Sequence, residues 1–435
     1  MTRRRIAVIG SGVAGLTAAY ILQRQADVTL YEADERLGGH AHTHDLLDDA
    51  GRAVQVDTGF IVHNRRTYPN LLRLFSELGV ATQESEMSMS ISCAGCGLEY
   101  AGALGMSGLF PRAANATNSR YLYMLSEVIR FHRRARSLLA AGGPAAGAPE
   151  QTAPEQTAPE QTMDEFLAAG RFSRYFRLHF VTPLISAVWS CAPSVAGRYP
   201  ARYLFQFLDN HGMLSVTGSP QWRTVSGGSA RYVERTAKHL SAVLTSTPVR
   251  SVRRLGAGGV EVRDDADNLE RYDAAVLATH PNQALAMLAD PTQNERDTLS
   301  AIGYSLNPTI LHSDTSVLPR AGKASASWNY RLPACDASAD SVHVSYDMNR
   351  LQRLDTDTRY LVTLNGDDRV APERVIDRMV YEHPIFTPES VAAQTRLPLL
   401  NDGTLAFAGA YHGWGFHEDG CRSGVAAAAS LGVPW

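Results

Sequence analysis

Apolar positions run unbroken at the start of the chain and then change period. Residues 5–10, RIAVIG, have the pattern of a short buried strand. GSGVAG follows, and LTAAYILQRQ then carries Leu16, Ala19, Tyr20 and Leu22 on one side of a helix. DVTLYE is a second strand that closes on Glu32. Strand, helix and strand in this order predict a βαβ unit within an α/β fold. Further on, EMSMSIS alternates as a strand does, and a turn, CAGC, ends it. YLYMLSEVIRFHRRARSLL (121–139) predicts a helix with Tyr121, Leu125, Val128 and His132 as its stripe. VSGGSARYVERTAKHLSAV is a glycine turn into a helix, TPVRSVRRLGAGGVEVR a β-hairpin, and YDAAVLATHP an apolar strand ending in a loop. FAGAYHGWGFHEDGCRSGVAAAA (407–429) combines a strand entry, a glycine-rich loop and a small-residue helix. Across residues 140–162 the periodicity disappears. APEQT repeats in tandem there, which predicts a disordered, solvated loop.

Composition narrows the class. A chain of 435 residues has room for two domains, and 44% hydrophobic with 20% charged content is that of an ordinary globular protein. A net charge of −3 leaves no nucleic-acid footprint. The positive charge is almost all arginine, with Lys238 and Lys323 the only lysines. The five cysteines are too scattered for a disulfide framework, so a reducing, cytoplasmic setting is expected. The basic start is not expected to be a signal peptide, because glycines in a meaningful pattern interrupt its apolar stretch. No apolar run reaches membrane-span length. Arg130, Arg133, Arg134 and Arg136 crowd one end of the 121–139 helix. That helix either lies on the inner face of an anionic membrane or packs on its own domain with a solvated arginine face.

The first sixty residues carry the clearest chemistry. Gly10, Gly12 and Gly15 have G-x-G-x-x-G spacing between strand and helix, the context a dinucleotide site requires. The first glycine permits a tight turn, the second lets backbone approach a pyrophosphate, and the third lets helix and strand pack closely. Val13 and Ala14 open the helix whose positive end would face the phosphates. Glu32, followed by Ala33, ends the second strand where a carboxylate can accept the hydroxyls of an adenosine ribose.

The segment after Glu32, EADERLGGHAHT, resembles the E-x-x-x-R-x-G-G stretch of the FAD-dependent amine oxidase superfamily, which also holds carotenoid desaturases and a bacterial polyunsaturated fatty acid isomerase. The resemblance implies non-covalent FAD. It places Arg36, Gly38 and Gly39 beneath the flavin's phosphate and ribityl region, with His40 where many members carry arginine or lysine. VDTGFIVHN, Val56 to Asn64, resembles the segment beside the flavin ring, including Thr58 and Gly59. The C-terminal stretch resembles the superfamily's second flavin motif and gives those contacts to Gly409, Ala410, Gly415, Phe416, Gly420 and Ser423. Val249 falls at the adenosine edge. The implied fold is a Rossmann-like FAD-binding domain of glutathione-reductase-2 type, with a second, α+β substrate domain of amine-oxidase-like form. The FAD domain would be discontinuous, covering residues 1–80, 222–290 and 396–435. A helical insertion, 81–221, and a strand-rich part, 300–395, would form the substrate domain.

A narrower resemblance covers most of the chain. SPQWRTVSGGSARYVERT, YSLNPTILHSD and YHGWGFHEDG look like a subfamily of NAD/FAD-binding proteins commonly encoded beside cyclopropane-fatty-acid-synthase-like methyltransferases. That context implies a lipid substrate: hydride exchange between flavin N5 and an unsaturated or modified acyl chain in a long apolar slot, with desaturation or double-bond isomerisation as outcome. A methyltransferase would be its functional partner. Two rivals stand beside this reading. One is amine oxidation, in which many family members place a lysine near flavin N5. The other is a non-catalytic FAD- or lipid-binding accessory subunit.

Smaller signals remain. His40, His42 and His44 recur every second position, which would line one face of a strand. The three options for them are a metal site, a covalent flavin tether and polar contact with cofactor or substrate; contact is expected, and no metal. Cys93 and Cys96 are expected as a structural pair of thiols rather than a disulfide relay. His412, His417 and Glu418 crowd the C-terminal loop as candidate acid–base residues. Trp189, Trp222, Trp328 and Tyr330 are expected as pocket or core aromatics.

Overall fold

Five parallel strands, the inner ones deeply buried, organise one half of the molecule. The structure is a computed structural model that describes residues 3–141, 161–214, 219–336 and 340–435; the APEQT repeats lie almost wholly outside the described residues. Strands β1 (Arg4–Ile9), β2 (Ala26–Tyr31), β3 (Ala242–Leu244), β4 (Ala274–Leu277) and β5 (Leu405–Phe407) form a parallel sheet in the order β3-β2-β1-β4-β5. Val8 pairs with Leu30 on one side and Val276 on the other. Parallel strands need both faces covered, hence the uninterrupted apolar run at the start of the chain. Helix α1 (Val13–Leu22) follows β1 and is buried all round except at Tyr20. It lies against helix α2 (His417–Ser430), which is why its expected one-sided stripe widens to the whole circumference. The two approach closely because Gly420 and Gly424 lack side chains. A Cβ on Gly424 would stand 2.4 Å from the Ala14 carbonyl oxygen.

A mixed seven-stranded sheet organises the other half. Its order is Val375–Pro384, Tyr304–His312, Leu361–Leu364, Val344–Asp347, Trp328–Leu332, Met89–Cys93 and Glu99–Tyr100. The last two strands lie in the otherwise helical insertion, the first of them where EMSMSIS alternates. Their entry is built on a buried polar pair, with the Ser90 hydroxyl donating to Asn329 Oδ1 at 2.9 Å across the parallel seam. Helices Ser119–Ala140, Thr182–Trp189 and Ala201–Asn210 share a core with this sheet, with Phe131 among Phe166, Phe172, Phe176 and Phe205.

The buried face of Ser119–Ala140 is Tyr121, Met124, Glu127, Phe131, His132 and Ala135, rotated slightly from the expected stripe. Arg130 turns inward, pairing with Glu127 at 2.8 Å and lying over the Phe172 ring. Leu122, Tyr123 and Ile129 are exposed beside the remaining arginines. Among the described residues no helix is long and apolar enough to cross a membrane.

Candidate cofactor site

The carboxyl ends of β1 and β2 meet the start of α1, and the glycines there divide two tasks. Gly10 has φ +100°, and a Cβ on Gly15 would stand 1.9 Å from the Gly10 carbonyl oxygen, so both positions are closed by backbone. Around Gly12 there is nothing within 4 Å of where a Cβ would be. Gly12 caps α1 with no side-chain hydrogen bond, leaving the helix's first N–H groups facing that open space. Glu32 lies just beyond β2. Its Oε2 accepts from the Ser11 backbone N–H (2.9 Å) and hydroxyl (2.5 Å), and its Oε1 accepts from the Asp34 N–H (2.9 Å). One lone-pair direction on Oε1 stays available. Backbone bonds from Glu32 N–H to Leu244 and from Thr247 N–H to Glu32 bring the segment ahead of Val249 alongside.

The glycine pair packs over this turn. A Cβ on Gly39 would come 3.3 Å from Gly12 Cα, and Arg36 donates to the Gly39 carbonyl at 2.8 Å. The strand expected to align the three histidines begins only at Thr43. His40 therefore sits in the turn after the glycines and separates from the other two. Its ring lies 5.0 Å from Tyr381 and 5.4 Å from His383. His42 and His44 remain together, rings 4.2 Å apart, joined by Tyr381 and Thr58. Burial holds His40 well below the ordinary histidine range and lowers His42 to about 4. Tyr381 and His383 were not singled out from the sequence. They stand two apart on one strand and so share a face, but that signal is short.

The C-terminal loop completes the site. Gly420 brings the start of α2 beside Val13 and Ala14, so two helix N-termini open at the same end of the parallel sheet. Ser423 donates to the Gly420 carbonyl at 2.7 Å and accepts from the Gly409 N–H at 2.9 Å. It is buried and holds the loop in place. His417 stacks on Phe60 at 3.7 Å and meets the Tyr232 hydroxyl at 3.1 Å through Nε2. Burial lowers His417 and His412 to about 3, so both are neutral at pH 7. His412 Nε2 is buried with no hydrogen-bond partner, a polar atom still to be satisfied.

Glu418, one of the expected acid–base set, is engaged by a neighbouring helix. Its two oxygens accept from the Asn70 N–H, the Asn70 amide and the Leu71 N–H, which makes it the cap of helix Pro69–Leu78. Glu418→Ala is expected to cost about 2–3 kcal/mol in denaturant unfolding, because it leaves buried donors unpaired. A catalytic Glu418 would instead lose turnover at unchanged stability.

Phe416 stacks on Phe207 at 4.7 Å, Trp189 lies 4.9 Å from Phe207, and the Trp189 indole N–H donates to the Trp414 carbonyl at 3.0 Å. A cavity of about 280 Å³ lies elsewhere, lined by polar residues including Arg52, Gln55, Gln83, Gln352 and Asp355. Lys238 and Lys323 are both exposed. The open Gly12 turn, the available Glu32 lone pair and the unpartnered His412 fit a dinucleotide with a long phosphate–ribityl span.

The family model for flavin containing amine oxidoreductase matches residues 13–314. A flavin-containing monoamine oxidase, AofH, of Mycobacterium tuberculosis is 26% identical over 294 residues, which is 66% of this chain and 59% of that protein. The chain thus spans less than two thirds of the length of that relative. The structure of a putrescine oxidase mutant, redesigned in its cofactor binding, superposes with TM-score 0.69 at 17% identity over 99% of both chains. A CLA-producing fatty acid isomerase from P. acnes gives 0.66 at 16% identity over 97% of both. At such identities the likeness is one of fold.

Proposed function

Since the chain belongs to the flavin-containing amine oxidoreductase family, we propose that it is an FAD-dependent oxidoreductase whose substrate is an unsaturated or modified fatty acyl chain. The observation that carries this reading is the wall of Trp189, Phe207, Trp414 and Phe416 beside the start of α2. Aromatic faces favour an apolar chain, and parting them is how a chain would be admitted. The exposure of both lysines weighs against the lysine-assisted form of amine oxidation. The fold itself does not choose, because it serves amine and fatty acid substrates alike in the neighbours described above.

Bound FAD supplies hydride exchange at N5. The chain's own residues bind and orient it. The N-terminus of α1 at Gly12 would take the pyrophosphate, and Glu32 the adenosine ribose, with Val249 at the adenosine edge. The N-terminus of α2 would place positive dipole at the pyrimidine end. Arg36, Gly38, Gly39, Thr58 and Gly59 would shape the middle of the site. His40 and His417, kept neutral by burial, can donate and accept hydrogen bonds at the site and carry no charge at pH 7.

The test is anaerobic. Unsaturated fatty acid, free or in phospholipid, is expected to bleach the flavin, or to be isomerised with its mass unchanged. Mono- and diamines are expected to leave both flavin and product profile unaltered. Bleaching by an amine with no change to any acyl chain would overturn the proposal.

A further inference from the structure

Away from the cofactor site, four metal-ligating side chains converge from distant parts of the chain. Cys93 ends the strand Met89–Cys93, and Cys96 lies in the turn that follows. Cys335 lies in the loop after Trp328–Leu332, and His179 in the π-helical stretch Arg177–Val181. Their ligand atoms all lie within 4.8 Å of one another. Cys93 Sγ is 3.5 Å from Cys335 Sγ, and Cys96 Sγ is 3.5 Å from His179 Nε2. All of these cysteines are free thiols.

The spacing fits a tetrahedral ion. Metal bonds of about 2.3 Å to sulfur and about 2.0 Å to nitrogen hold neighbouring ligands roughly 3.5–3.8 Å apart. A disulfide would need the sulfurs at about 2.05 Å. The histidine is oriented for the task. His179 is buried, and its Nδ1 lies 3.1 Å from the Tyr175 carbonyl oxygen. Donating Nδ1–H there leaves the Nε2 lone pair for a metal, the usual outer-shell arrangement of a ligating histidine. π-Helical turns are uncommon and occur mostly at functional sites.

The turn carrying the thiols is tied down by backbone alone. Ala94 N–H donates to the Leu332 carbonyl and Gly97 N–H to the Cys93 carbonyl, each at 2.9 Å. A Cβ on Gly95 would stand 2.9 Å from the Cys335 nitrogen, so glycine is what lets the two loops meet.

We propose that Cys93, Cys96, His179 and Cys335 bind one zinc ion. On binding, the three thiols release their protons to solvent, and three thiolates with a neutral imidazole surround Zn²⁺ at a net charge of −1. Four protein ligands close the coordination sphere, so the site is structural, without a position for reacting water. Cys96 and Cys335 are exposed and give the ion its entry path. The ion would pin the helical stretch at His179 and the Cys335 loop to the edge of the seven-stranded sheet. The Cys-x-x-Cys pair alone did not announce this, because its partners lie 83 and 242 residues away along the chain.

The holoprotein, purified with reductant and without chelator, is expected to contain about one zinc per chain by elemental mass spectrometry. After the zinc is stripped, Co²⁺ is expected to give the intense visible bands of a tetrahedral thiolate site. Cys96→Ser and His179→Ala should each weaken Co²⁺ binding about 100-fold while flavin content reports that the fold persists. If the variants do not fold, the wild-type Co²⁺ titration decides. Wild-type protein that lacks zinc and yields no tetrahedral Co²⁺ spectrum would overturn the proposal, as would a native Cys93–Cys335 disulfide.

Discussion

Gly12→Ala is expected to leave the apoprotein as stable as before and to weaken FAD binding about 100-fold, close to 3 kcal/mol. Gly12 has φ −62° and ψ 174°, which alanine adopts freely, and its added Cβ meets no protein atom within 4 Å. The methyl would intrude only on whatever approaches the first N–H groups of α1. Gly15→Ala is the contrasting control. There the Cβ would stand 1.9 Å from the Gly10 carbonyl oxygen and 3.1 Å from Ala278 Cβ, so turn and helix must part and stability falls by several kcal/mol. Isothermal titration with FAD and denaturant unfolding of each apoprotein separate the two effects. Equal FAD affinity in Gly12→Ala and wild type would remove the pyrophosphate from the α1 terminus.

Acidification from pH 7 to pH 5 is expected to lower stability by at least about 5 kcal/mol, a large part of what a typical protein has. His63, His132, His211 and His312 are buried, and burial lowers each from 6.5 to about 4. Their folded pKa lies below the unfolded one, so their stability is present above pH 6.5 and is lost as pH falls toward 4. At pH 5 the unfolded chain holds these protons and the native chain does not. The loss is about 2 kcal/mol for each ring, about 8 for the four.

Asp57 and Asp419 act in the opposite sense. Burial raises both from 3.8 to about 6, so their contribution is present at low pH and is lost as pH rises through 6. On acidification they return about 3 kcal/mol together. The four histidines outweigh them, and His42, His383, His412 and His417, lowered by burial to about 4 or about 3, add to the loss in the same sense. Thermal unfolding followed between pH 7 and 5 should show the transition falling steeply, with at least about two protons taken up on unfolding near pH 5.5. A transition temperature flat over that range would contradict the assignment.

The parallel half of the fold was legible because its signals are local. An unbroken apolar strand, a glycine turn and a second strand ending in Glu32 lie within thirty residues and require no distant partner. The C-terminal loop was legible by resemblance, and the small residues of α2 do what small residues allow: they bring two helix N-termini together. Side-chain roles were harder to see. Glu418 has the chemistry of a general acid, yet it caps Pro69–Leu78, and nothing near it in sequence marks Asn70 as its partner. The His40–His44 spacing suggested one strand face, but Gly38 and Gly39 turn the backbone until Thr43, which sends His40 to Tyr381 and His383. Those two residues reach the site through a strand more than three hundred positions later. Pairings of that length leave no period to detect.

The most direct test of the central claim, a chain built around non-covalently held FAD, is the visible spectrum of the purified protein. It should be recorded before acid precipitation and again on pellet and supernatant. The account predicts about one FAD per chain, released intact to the supernatant. Colour retained in the pellet would contradict non-covalent binding and make His40, His42 or His44 a tether. A colourless protein that FAD does not reconstitute would contradict the cofactor site itself.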